Sequence, residues 1–498
     1  MARHPRPEAG TPPLSNQPIP EKAFLAMRRK NLARWPTGAD VDLDEAVDFH
    51  ERLPRHKQLA WVMREAAVEG RCLTQPRGGF GTFEMQLDLM RTLDKGGLAD
   101  IIPTTTDSYT RNEHWSQAAT GLAESKRLGR SMLNGFPLVN YGPKEARRLI
   151  EAIDKPAIVL SGTALPRLTA EVGFAAGFTG FLGSGIAYTT SYTKDFPIET
   201  GIRNYQYLDR LAALYQSRGI ELHRRQPGFL TGTCIPPCIA ISTGVLDALL
   251  AAGQGVRNYG LELGQTLHLV QDAAAIRACA TVCRDYLGRQ GFDDMFTPVT
   301  SLHWMGAWPQ DPAQAAALVA YGGTLAAVGG AVSVTTKSTS EALGIPTPEA
   351  NAEGLRTTRM AVYLARRVRL DDLPEFRQET DLIEREVRAI VDKVLEMGDG
   401  DAAVGTVRAF EAGVLDIPWS PSRHVRNRVL PARDAEGYLR LFDAGEMPFP
   451  KEILEFHEHR LRKGAERSGV PYDHDFAVAS VFEISEPLDR LCPFPWDA

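Results

Sequence analysis

The sequence predicts an α/β protein built on a (β/α)8 barrel of the TIM type, with an N-terminal helical arm and an α-rich C-terminal extension. From about Arg71 onward, short β-branched or apolar runs are each followed by glycine or polar residues and then by a helical stretch. This alternation is typical of a parallel sheet with crossover helices. A chain of 498 residues also accommodates such a barrel with extensions at both ends. An open, doubly wound sheet is the second candidate architecture.

Nine segments in this region have the character of strands. They are Cys72–Pro76, Asp100–Thr104, Ser131–Val139, Pro156–Leu160, Gly177–Leu182, Gly219–Arg224, Gly255–Leu261, Met295–Leu302 and Ala331–Thr336. Because a barrel of this type has eight strands, we expect at least one of the nine segments to lie outside the closed sheet. Clear helical patterns separate them, for example Tyr141–Ile150, which has a proline in its first turn, and Ala313–Val328.

Changes in composition divide the chain into four predicted regions. Residues 1–20 are rich in Pro, Gly and polar groups, and we expect them to be disordered. Residues 21–69 show helical periodicity and form the predicted N-terminal arm. The barrel is expected over residues 70–390, and residues 391–498 form the C-terminal extension.

Composition and charge exclude several classes of function. Lys+Arg 56 against Asp+Glu 62 gives 56 − 62 = −6, with a pI near 6.1, so neither nucleic acid nor an anionic membrane is an expected partner. We find no apolar run long enough to span a bilayer and no signal-peptide core, so the cytoplasm is the expected location. The six cysteines lack zinc-type spacing, which predicts free, mostly buried thiols.

Two arginines follow apolar runs that we predict to be strands. Arg77 comes after Cys72-Leu73-Thr74-Gln75-Pro76, and Arg111 comes after Ile101-Ile102-Pro103 and a polar turn. The carboxyl ends of parallel strands are where α/β proteins bind ligands. Two guanidiniums that meet there would present planar forks of donors to a carboxylate. The alternative is that both are solvated surface arginines.

Lys337 closes another predicted strand and has two candidate roles. A lysine desolvated at a strand end can form a Schiff base, as in aldolases, or hold a polar ligand. An ion pair with nearby Glu341 is the structural alternative. Asn134, Tyr188 and Tyr192 add polar groups near predicted strand ends, where either a ligand or a core network would satisfy them.

Seven motifs stand in order along the chain: Thr74-Gln75-Pro76-Arg77, Asp107-Ser108-Tyr109-Thr110-Arg111, Leu133-Asn134-Gly135-Phe136-Pro137, Leu230-Thr231-Gly232-Thr233, His303-Trp304-Met305-Gly306, Glu341-Ala342-Leu343-Gly344-Ile345-Pro346 and Val404-Gly405-Thr406-Val407-Arg408. Together they resemble the epsilon (large) subunit of glutamate mutase, also called methylaspartate mutase. The likeness covers nearly everything after about residue 25.

The resemblance implies a (β/α)8 barrel that acts with adenosylcobalamin in a radical rearrangement of a carbon skeleton. It also implies a separate small, sigma-like subunit that carries the cobalamin-binding Asp-x-His-x-x-Gly motif, and a dimer of large subunits. The nearest candidate here, Asp48-Phe49-His50-Glu51-Arg52-Leu53, lacks the glycine and lies in a predicted helix. The cobalt ligand is therefore expected from the partner chain.

Matching the family's motifs residue by residue implies the site. Arg77 and Arg111 match arginines that bind the substrate carboxylate, and Tyr188 and Tyr192 match tyrosines on the substrate side. Asn134, Lys337 and Glu341 match groups around the adenosyl part of the cofactor, and Gly79, Thr105 and Met305 match positions that line the cofactor. This match favours a cofactor-binding role for Lys337 over Schiff-base chemistry.

Two departures from the family's pattern concern the substrate. Leu160-Ser161-Gly162 stands where the family has Arg-His-Gly, and Leu182 stands where it has a glutamate that would pair with the substrate ammonium. A buried ammonium without its counter-ion is costly. The departures therefore predict a substrate other than free glutamate, such as an oxo acid, a hydroxy acid or a less polar analogue. The expected setting is the biosynthesis of a specialised metabolite.

Three alternatives remain open at this point. The first is ordinary isomerisation of glutamate to 3-methylaspartate with rearranged contacts. The second is a Schiff-base aldolase that uses Lys337. The third is a non-catalytic cobalamin-binding partner.

Overall fold

The computed structural model describes residues 13–229 and 234–484, so the Leu230–Thr233 motif lies outside the described residues. Its central feature is a sheet of eight parallel strands: β1 (Leu73–Gln75), β2 (Ile102–Thr105), β3 (Ala157–Leu160), β4 (Gly180–Leu182), β5 (His223–Gln226), β6 (Tyr259–Gly264), β7 (Val299–Leu302) and β8 (Ser333–Thr335). The strand order is β1-β8-β7-β6-β5-β4-β3-β2. The predicted (β/α)8 barrel is thereby confirmed.

Helices surround the sheet and extend the chain at both ends. The arm contains α1 (Glu21–Leu32), α2 (Leu43–Arg52) and α3 (Leu59–Glu69). Alternating with the strands are α4 (Phe83–Arg91), α5 (Ser108–Arg111), α6 (Trp115–Leu128), α7 (Leu138–Glu151), α8 (Arg167–Ala176), α9 (Ala187–Tyr192), α10 (Ile198–Ser217), α11 (Pro237–Gly253), α12 (Leu269–Arg289), α13 (Pro312–Gly329) and α14 (Pro348–Ala365). The C-terminal region adds α15 (Pro374–Met397), α16 (Ala402–Ala412), α17 (Lys451–Ser468) and α18 (His474–Phe482).

The barrel is nearly closed at the seam between β1 and β2, which are not paired as a regular ladder. The amides of Asp100 and Ile101 donate to the Thr74 carbonyl at 3.0 and 3.2 Å. The Asp100 carboxylate in turn accepts from the Thr74 amide at 2.8 Å and from its hydroxyl at 3.0 Å. Farther along, the Thr105 amide donates to the Gly78 carbonyl at 2.9 Å. These bonds satisfy backbone groups that an open sheet edge would expose.

One layer of inward-facing side chains lies close to the carboxyl ends of four strands. The sheet register places Thr105 beside Leu160, Leu160 beside Leu182, and Leu182 beside Arg225. Register neighbours in a parallel sheet point to the same face. That face is the interior, because Arg225 on β5 donates to the Gln75 side chain on β1, across the barrel, at 3.0 Å. We call these four residues the Arg225 layer.

One of the nine predicted strands, Ser131–Val139, was wrong. The segment is a loop up to Pro137, and its last two residues begin α7. Its contact with the sheet is an isolated bridge between Phe136 and Thr106. Pro137 has no amide hydrogen to donate to a ladder and precedes the first helical residue. The apolar residues of the segment are buried without forming a strand, and the Phe136 ring stacks on the Tyr141 ring with a centroid distance of 4.7 Å.

The N-terminal segment before α1 runs along the outside of the barrel. The Asn16 amide donates to the Asp401 carboxylate at 2.8 Å, and its side chain donates to the Leu249 carbonyl at 2.9 Å. The Gln254 side chain accepts from the Ile19 amide at 2.9 Å. Residues 13–20 fall in the region predicted to be disordered, yet they hold defined contacts, whereas residues 1–12 lie outside the described residues.

The C-terminal region includes a feature that we did not predict from the sequence. Strands β9 (Leu430–Arg433) and β10 (Leu439–Asp443) form an antiparallel hairpin beside the helices. Its Arg440 pairs with Glu379 of α15 at 2.8 Å, which fixes the hairpin to that helix. Helix α15 in turn packs on α11 and α12 of the barrel.

None of the helices in the described part of the chain combines the length and apolar character that a bilayer span requires.

Candidate active site

Arg77 and Arg111 both lie beyond the carboxyl ends of strands, as predicted. Arg77 follows β1 and places a guanidinium nitrogen 3.3 Å from the Met305 sulfur. Arg111 ends the short helix α5 after β2, and its Nε donates to the Thr106 carbonyl at 2.9 Å. Both are partly buried, and neither forms an ion pair with an acidic side chain among the described residues. Two partly desolvated guanidiniums of this kind suit an anionic ligand.

Tyr188 and Tyr192 lie next to this arginine pair. Both are on helix α9, with ring centroids 5.2 Å apart; Tyr188 is buried and Tyr192 is 46% exposed. Burial lowers the pKa of Arg111, while Tyr188 and Tyr192 oppose that effect and Arg77 adds to it. All three therefore lie within electrostatic reach of Arg111. Burial raises the pKa of Tyr188 well above its usual range, so its hydroxyl is a neutral hydrogen-bond donor at neutral pH.

Leu160 and Leu182 face the same interior space from the Arg225 layer. They are 7% and 5% exposed, and each occupies the last position of its strand. This part of the interior wall is apolar at the two positions where the family resemblance implies an arginine and a glutamate.

Gly79, Thr105 and Asn134 meet where the loops after β1 and β2 approach the loop before α7. A side chain at Gly79 would collide with the Thr105 carbonyl oxygen and would come within 3.2 Å of the Gly135 Cα. The Asn134 side chain accepts from the Ser108 amide at 2.9 Å, which joins that loop to α5. The Thr105 hydroxyl is buried and has no hydrogen-bond partner among the described residues. It is therefore a polar atom available to a ligand.

Lys337 follows β8, the strand paired with β1, and lies within electrostatic reach of Arg77. It is 4% exposed, its ammonium lies 3.2 Å from the Glu341 carboxylate, and it stands 4.5 Å from the centre of the Trp308 ring. Burial lowers the pKa of Lys337, Glu341 opposes that shift, and the charge of Arg77 adds to it. The ion pair that the sequence left as the structural alternative is thus present in the structure.

The structure adds three site residues that the sequence analysis missed: Gln75, Arg225 and Glu262. Arg225 is fully buried in β5, with a guanidinium nitrogen 3.8 Å from Glu262 on β6. Our predicted strand Gly219–Arg224 ended one residue earlier, and buried arginines in a strand are uncommon. The available signal was the run His223-Arg224-Arg225-Gln226, in which neighbouring arginines must face opposite sides of the sheet.

The described residues hold no group of three or more His, Cys, Asp or Glu side chains that could bind a metal ion. His50, which lies in the sequence nearest to the cobalamin-binding motif, is buried in α2, and its Nε2 lies 2.8 Å from the Phe174 carbonyl. Burial lowers the pKa of His50 to about 4. None of the cysteines in the described residues forms a disulfide, as predicted.

Comparison with known proteins places the chain in a family. Residues 53–488 match the model of the methylaspartate mutase E chain. The glutamate mutase epsilon subunit of Desulfitobacterium hafniense is 42% identical over 475 residues, which cover 95% of this chain and 98% of that protein. The protein of the same name from Haloarcula marismortui is 44% identical over 454 residues, 91% of each chain.

Among solved structures, the alpha subunit of tryptophan synthase from Legionella pneumophila is similar with a TM-score of 0.34 and 13% identity, covering 62% of this chain and 99% of that one. That score is too low to carry an argument. The family match spans most of the sequence, and so the chain belongs to the methylaspartate mutase E chain family.

Proposed function

We propose that this chain is the substrate-binding large subunit of an isomerase that rearranges the carbon skeleton of a carboxylate, with glutamate to 3-methylaspartate as the first candidate reaction. The observation that carries the proposal is the pair Arg77 and Arg111, which meet at the carboxyl ends of β1 and β2 without an acidic partner among the described residues. The names of the relatives support glutamate as the substrate to test first.

In this proposal the two guanidiniums bind one substrate carboxylate, each through paired N–H donors. The hydroxyls of Tyr188 and Tyr192 donate to the same substrate from α9. The barrel holds the reacting carbons in a fixed geometry and keeps water away from them, which favours rearrangement over side reactions. Leu160 and Leu182 form part of the apolar wall that keeps the site dry.

The family implies adenosylcobalamin as the cofactor, and the residues at the barrel mouth fit it. Gly79 lets its loop pack directly on the Thr105 backbone, and the buried Thr105 hydroxyl lacks a partner in the described structure. The residues proposed to hold the adenosyl part are Gly79, Thr105, Asn134, Met305, Lys337 and Glu341. When bound, the cofactor supplies the radical that starts the rearrangement. Glu341 lies 3.2 Å from the Lys337 ammonium and opposes the lowering of its pKa by burial, which disfavours a Schiff base there.

A small cobalamin-binding subunit is a necessary partner in this proposal, together with a second large subunit. His50 supports the need for the small subunit, because its Nε2 contacts the Phe174 carbonyl inside the protein and is not free to bind cobalt. In this proposal the partner chain supplies the cobalt ligand.

A specific observation favours a second candidate substrate, a carboxylate that lacks the α-ammonium, such as an oxo or hydroxy acid. Leu160 and Leu182 are side by side in the Arg225 layer, and Leu182 adjoins a buried arginine. An ammonium placed there would lack a counter-ion and would be repelled by Arg225. Glu262 is the acid that could offset this in the case of glutamate, since it lies 3.8 Å from Arg225.

Substrate screening of the reconstituted complex tests the proposal. The chain is combined with its small subunit and adenosylcobalamin, and then with glutamate, 2-oxoglutarate or 2-hydroxyglutarate. We expect glutamate to produce an electron paramagnetic resonance signal and 3-methylaspartate, identified by NMR. Arg111→Gln is the matched control and should abolish both. Signals from the two ammonium-free acids, with none from glutamate, would show that the second candidate is the substrate. No signal with any of the three acids would contradict the mutase assignment.

A further inference from the structure

Arg225 is a buried arginine with hydrogen-bonding capacity to spare. Its Nη2 donates to the Gln75 side chain at 3.0 Å, and the residue is fully buried. Its Nε and Nη1, and the Gln75 Nε2, are buried without a hydrogen-bond partner among the described residues. Buried donors of this kind are rare because leaving them unpartnered costs stability. An acceptor that is not part of this chain would satisfy them.

The position of Arg225 connects these donors with the proposed substrate site. Arg225 lies beside Leu182 in the sheet register, one residue before the end of β5. Arg77 and Arg111 lie past the ends of their strands, so Arg225 is deeper in the barrel than they are. The buried Tyr188 hydroxyl is close enough to both Arg111 and Arg225 to interact electrostatically with each. The three guanidiniums therefore border one interior space.

Glu262 does not use the spare donors of Arg225. Its two carboxylate oxygens accept from the Thr335 hydroxyl at 2.5 Å and from the Gly228 amide at 3.2 Å. Its contact with Arg225, at 3.8 Å, is longer than a hydrogen bond and involves Nη2. A purely structural ion pair would instead bring the fork of the guanidinium onto the carboxylate.

The charges around this space are not balanced. Arg77, Arg111, Arg225 and Lys337 are cationic, while Glu262, Glu341 and Asp107, which acts on Arg111, are anionic, which gives 4 − 3 = +1. Cationic charge in a desolvated space is costly unless a ligand compensates it. An anionic ligand lowers that cost.

We propose that Arg225, together with Gln75, binds a second carboxylate of the substrate, so that the site is selective for dicarboxylates. This inference rests on the proposed function, in which Arg77 and Arg111 bind the first carboxylate. It assigns to β5 a substrate-binding arginine in a chain that has leucine at the end of β3, where the family resemblance implies an arginine.

Calorimetric titration of the full chain in complex with its small subunit tests this assignment. The probes are glutarate and pentanoate, which have five carbons each and differ by one carboxylate. The variants are Arg225→Gln and the double variant Arg225→Gln/Glu262→Gln. The double variant also removes the Glu262 carboxylate, so that no buried anion is left without its counter-charge. Arg257→Gln is the matched control, because Arg257 lies just before β6 at the opposite end of the barrel and pairs with Asp294 at 3.0 Å.

We expect the wild type to prefer glutarate to pentanoate. Both Arg225 variants should weaken glutarate binding by roughly tenfold or more, the size expected for a lost charge-assisted hydrogen bond, with little change for pentanoate. Arg257→Gln should bind both acids like the wild type. A purely structural role for Arg225 would weaken both acids equally or neither, and either result overturns the inference.

Arg111→Gln separates a failure of this inference from a failure of the proposed function. It should weaken glutarate and pentanoate alike, because Arg111 is assigned to the carboxylate that the two acids share. If Arg111→Gln leaves both affinities unchanged, the proposed carboxylate site itself is wrong. If Arg111→Gln has its effect and Arg225→Gln changes neither preference nor affinity, the inference about Arg225 fails alone.

Discussion

Gly162 lies against the Arg111 side chain, and because it has no side chain of its own it leaves room for this proposed ligand-binding group. Its φ of +58° lies in the left-handed region, and a Cβ added there would lie 3.0 Å from the Arg111 Nε. The neighbouring Thr163 hydroxyl donates to the Arg111 carbonyl, which holds the backbone of the same residue. Arg111 is therefore positioned by the β3–α8 loop as well as by its own helix.

Replacing Gly162 with alanine should weaken substrate binding beyond its cost in stability. The left-handed backbone alone costs about 1 kcal/mol with a side chain present, and the added Cβ also displaces the guanidinium. Gly129→Ala is the matched control, since Gly129 has a φ of +65° and nothing within 4 Å of an added Cβ. Urea unfolding should show a similar loss of stability in both variants. Only Gly162→Ala should raise the KM for the substrate, roughly tenfold; equal KM values would show that Gly162 does not position Arg111.

At the same scale, the sequence could locate some site residues and not others. The strand-end positions of Arg77 and Arg111 were predictable, because Arg77 directly follows the run ending at Pro76, Arg111 follows an apolar run and a polar turn, and strand ends converge in a barrel. The partners of Arg225 could not be predicted. Gln75 and Glu262 lie on strands β1 and β6, and no local pattern shows which strands will be in contact. That information exists only once the barrel closes.

At the scale of elements, helices α10 and α11 are joined to β4 and β5 by buried charges. Arg224 points outward, opposite to Arg225, and its Nε donates to Asp209 of α10 at 2.7 Å. Its other nitrogens donate to the carbonyls of Phe181 and Gly183. Asp247 of α11 accepts from the Ser184 hydroxyl. These contacts orient the β4–α9 loop, which leads directly to Tyr188.

Asp247 gives this packing a dependence on pH. Burial raises the pKa of Asp247 from an ordinary value of 3.8 to about 7. As the pH rises between these values, the unfolded chain releases a proton that the folded protein keeps, so stability falls through this window and the loss is complete above about pH 7. Asp247→Asn cannot ionise and should escape that loss.

We therefore expect Asp247→Asn to be close to neutral at pH 4 and stabilising relative to the wild type at pH 8, by up to about 4 kcal/mol from a shift of about three pKa units. Urea unfolding at the two pH values measures the difference. Asp88→Asn, at an exposed position of α4, serves as the control and should show the same small effect at both. A difference for Asp247→Asn that does not change with pH would show that folding does not shift the pKa of this carboxyl.

The error over Ser131–Val139 also belongs to the scale of elements. Leu133, Phe136, Leu138 and Val139 are buried, as in a strand, but within the described residues the backbone of the segment joins the sheet only where the Phe136 amide donates to the Thr105 carbonyl at 2.8 Å. Burial alone cannot distinguish a strand from a buried loop, because both need apolar residues. Pro137, immediately before α7, was the residue that indicated a helix start.

At the scale of the whole molecule, alternation of strands and helices was sufficient to predict the barrel, because few architectures accommodate it. The termini were less predictable. Residues 13–20 are polar and low in hydrophobic content, and they hold their place through hydrogen bonds to distant elements such as α11 and α16. The hairpin β9–β10 likewise depends on the buried pair of Arg440 with Glu379. Partners so far apart in sequence leave no local pattern to interpret.

Gly253, the last residue of α11, makes this long-range contact testable. Glycine to alanine in a helix normally stabilises by about 1 kcal/mol, but a Cβ here would lie 2.5 Å from the Asn16 carbonyl oxygen. Gly253→Ala should therefore destabilise the full chain by about 1–3 kcal/mol through overpacking. In a chain that lacks residues 1–20, the same substitution should be neutral or stabilising. Urea unfolding of the four proteins measures the coupling, and an equal effect of Gly253→Ala in both backgrounds would show that the N-terminal segment does not pack against α11 in solution.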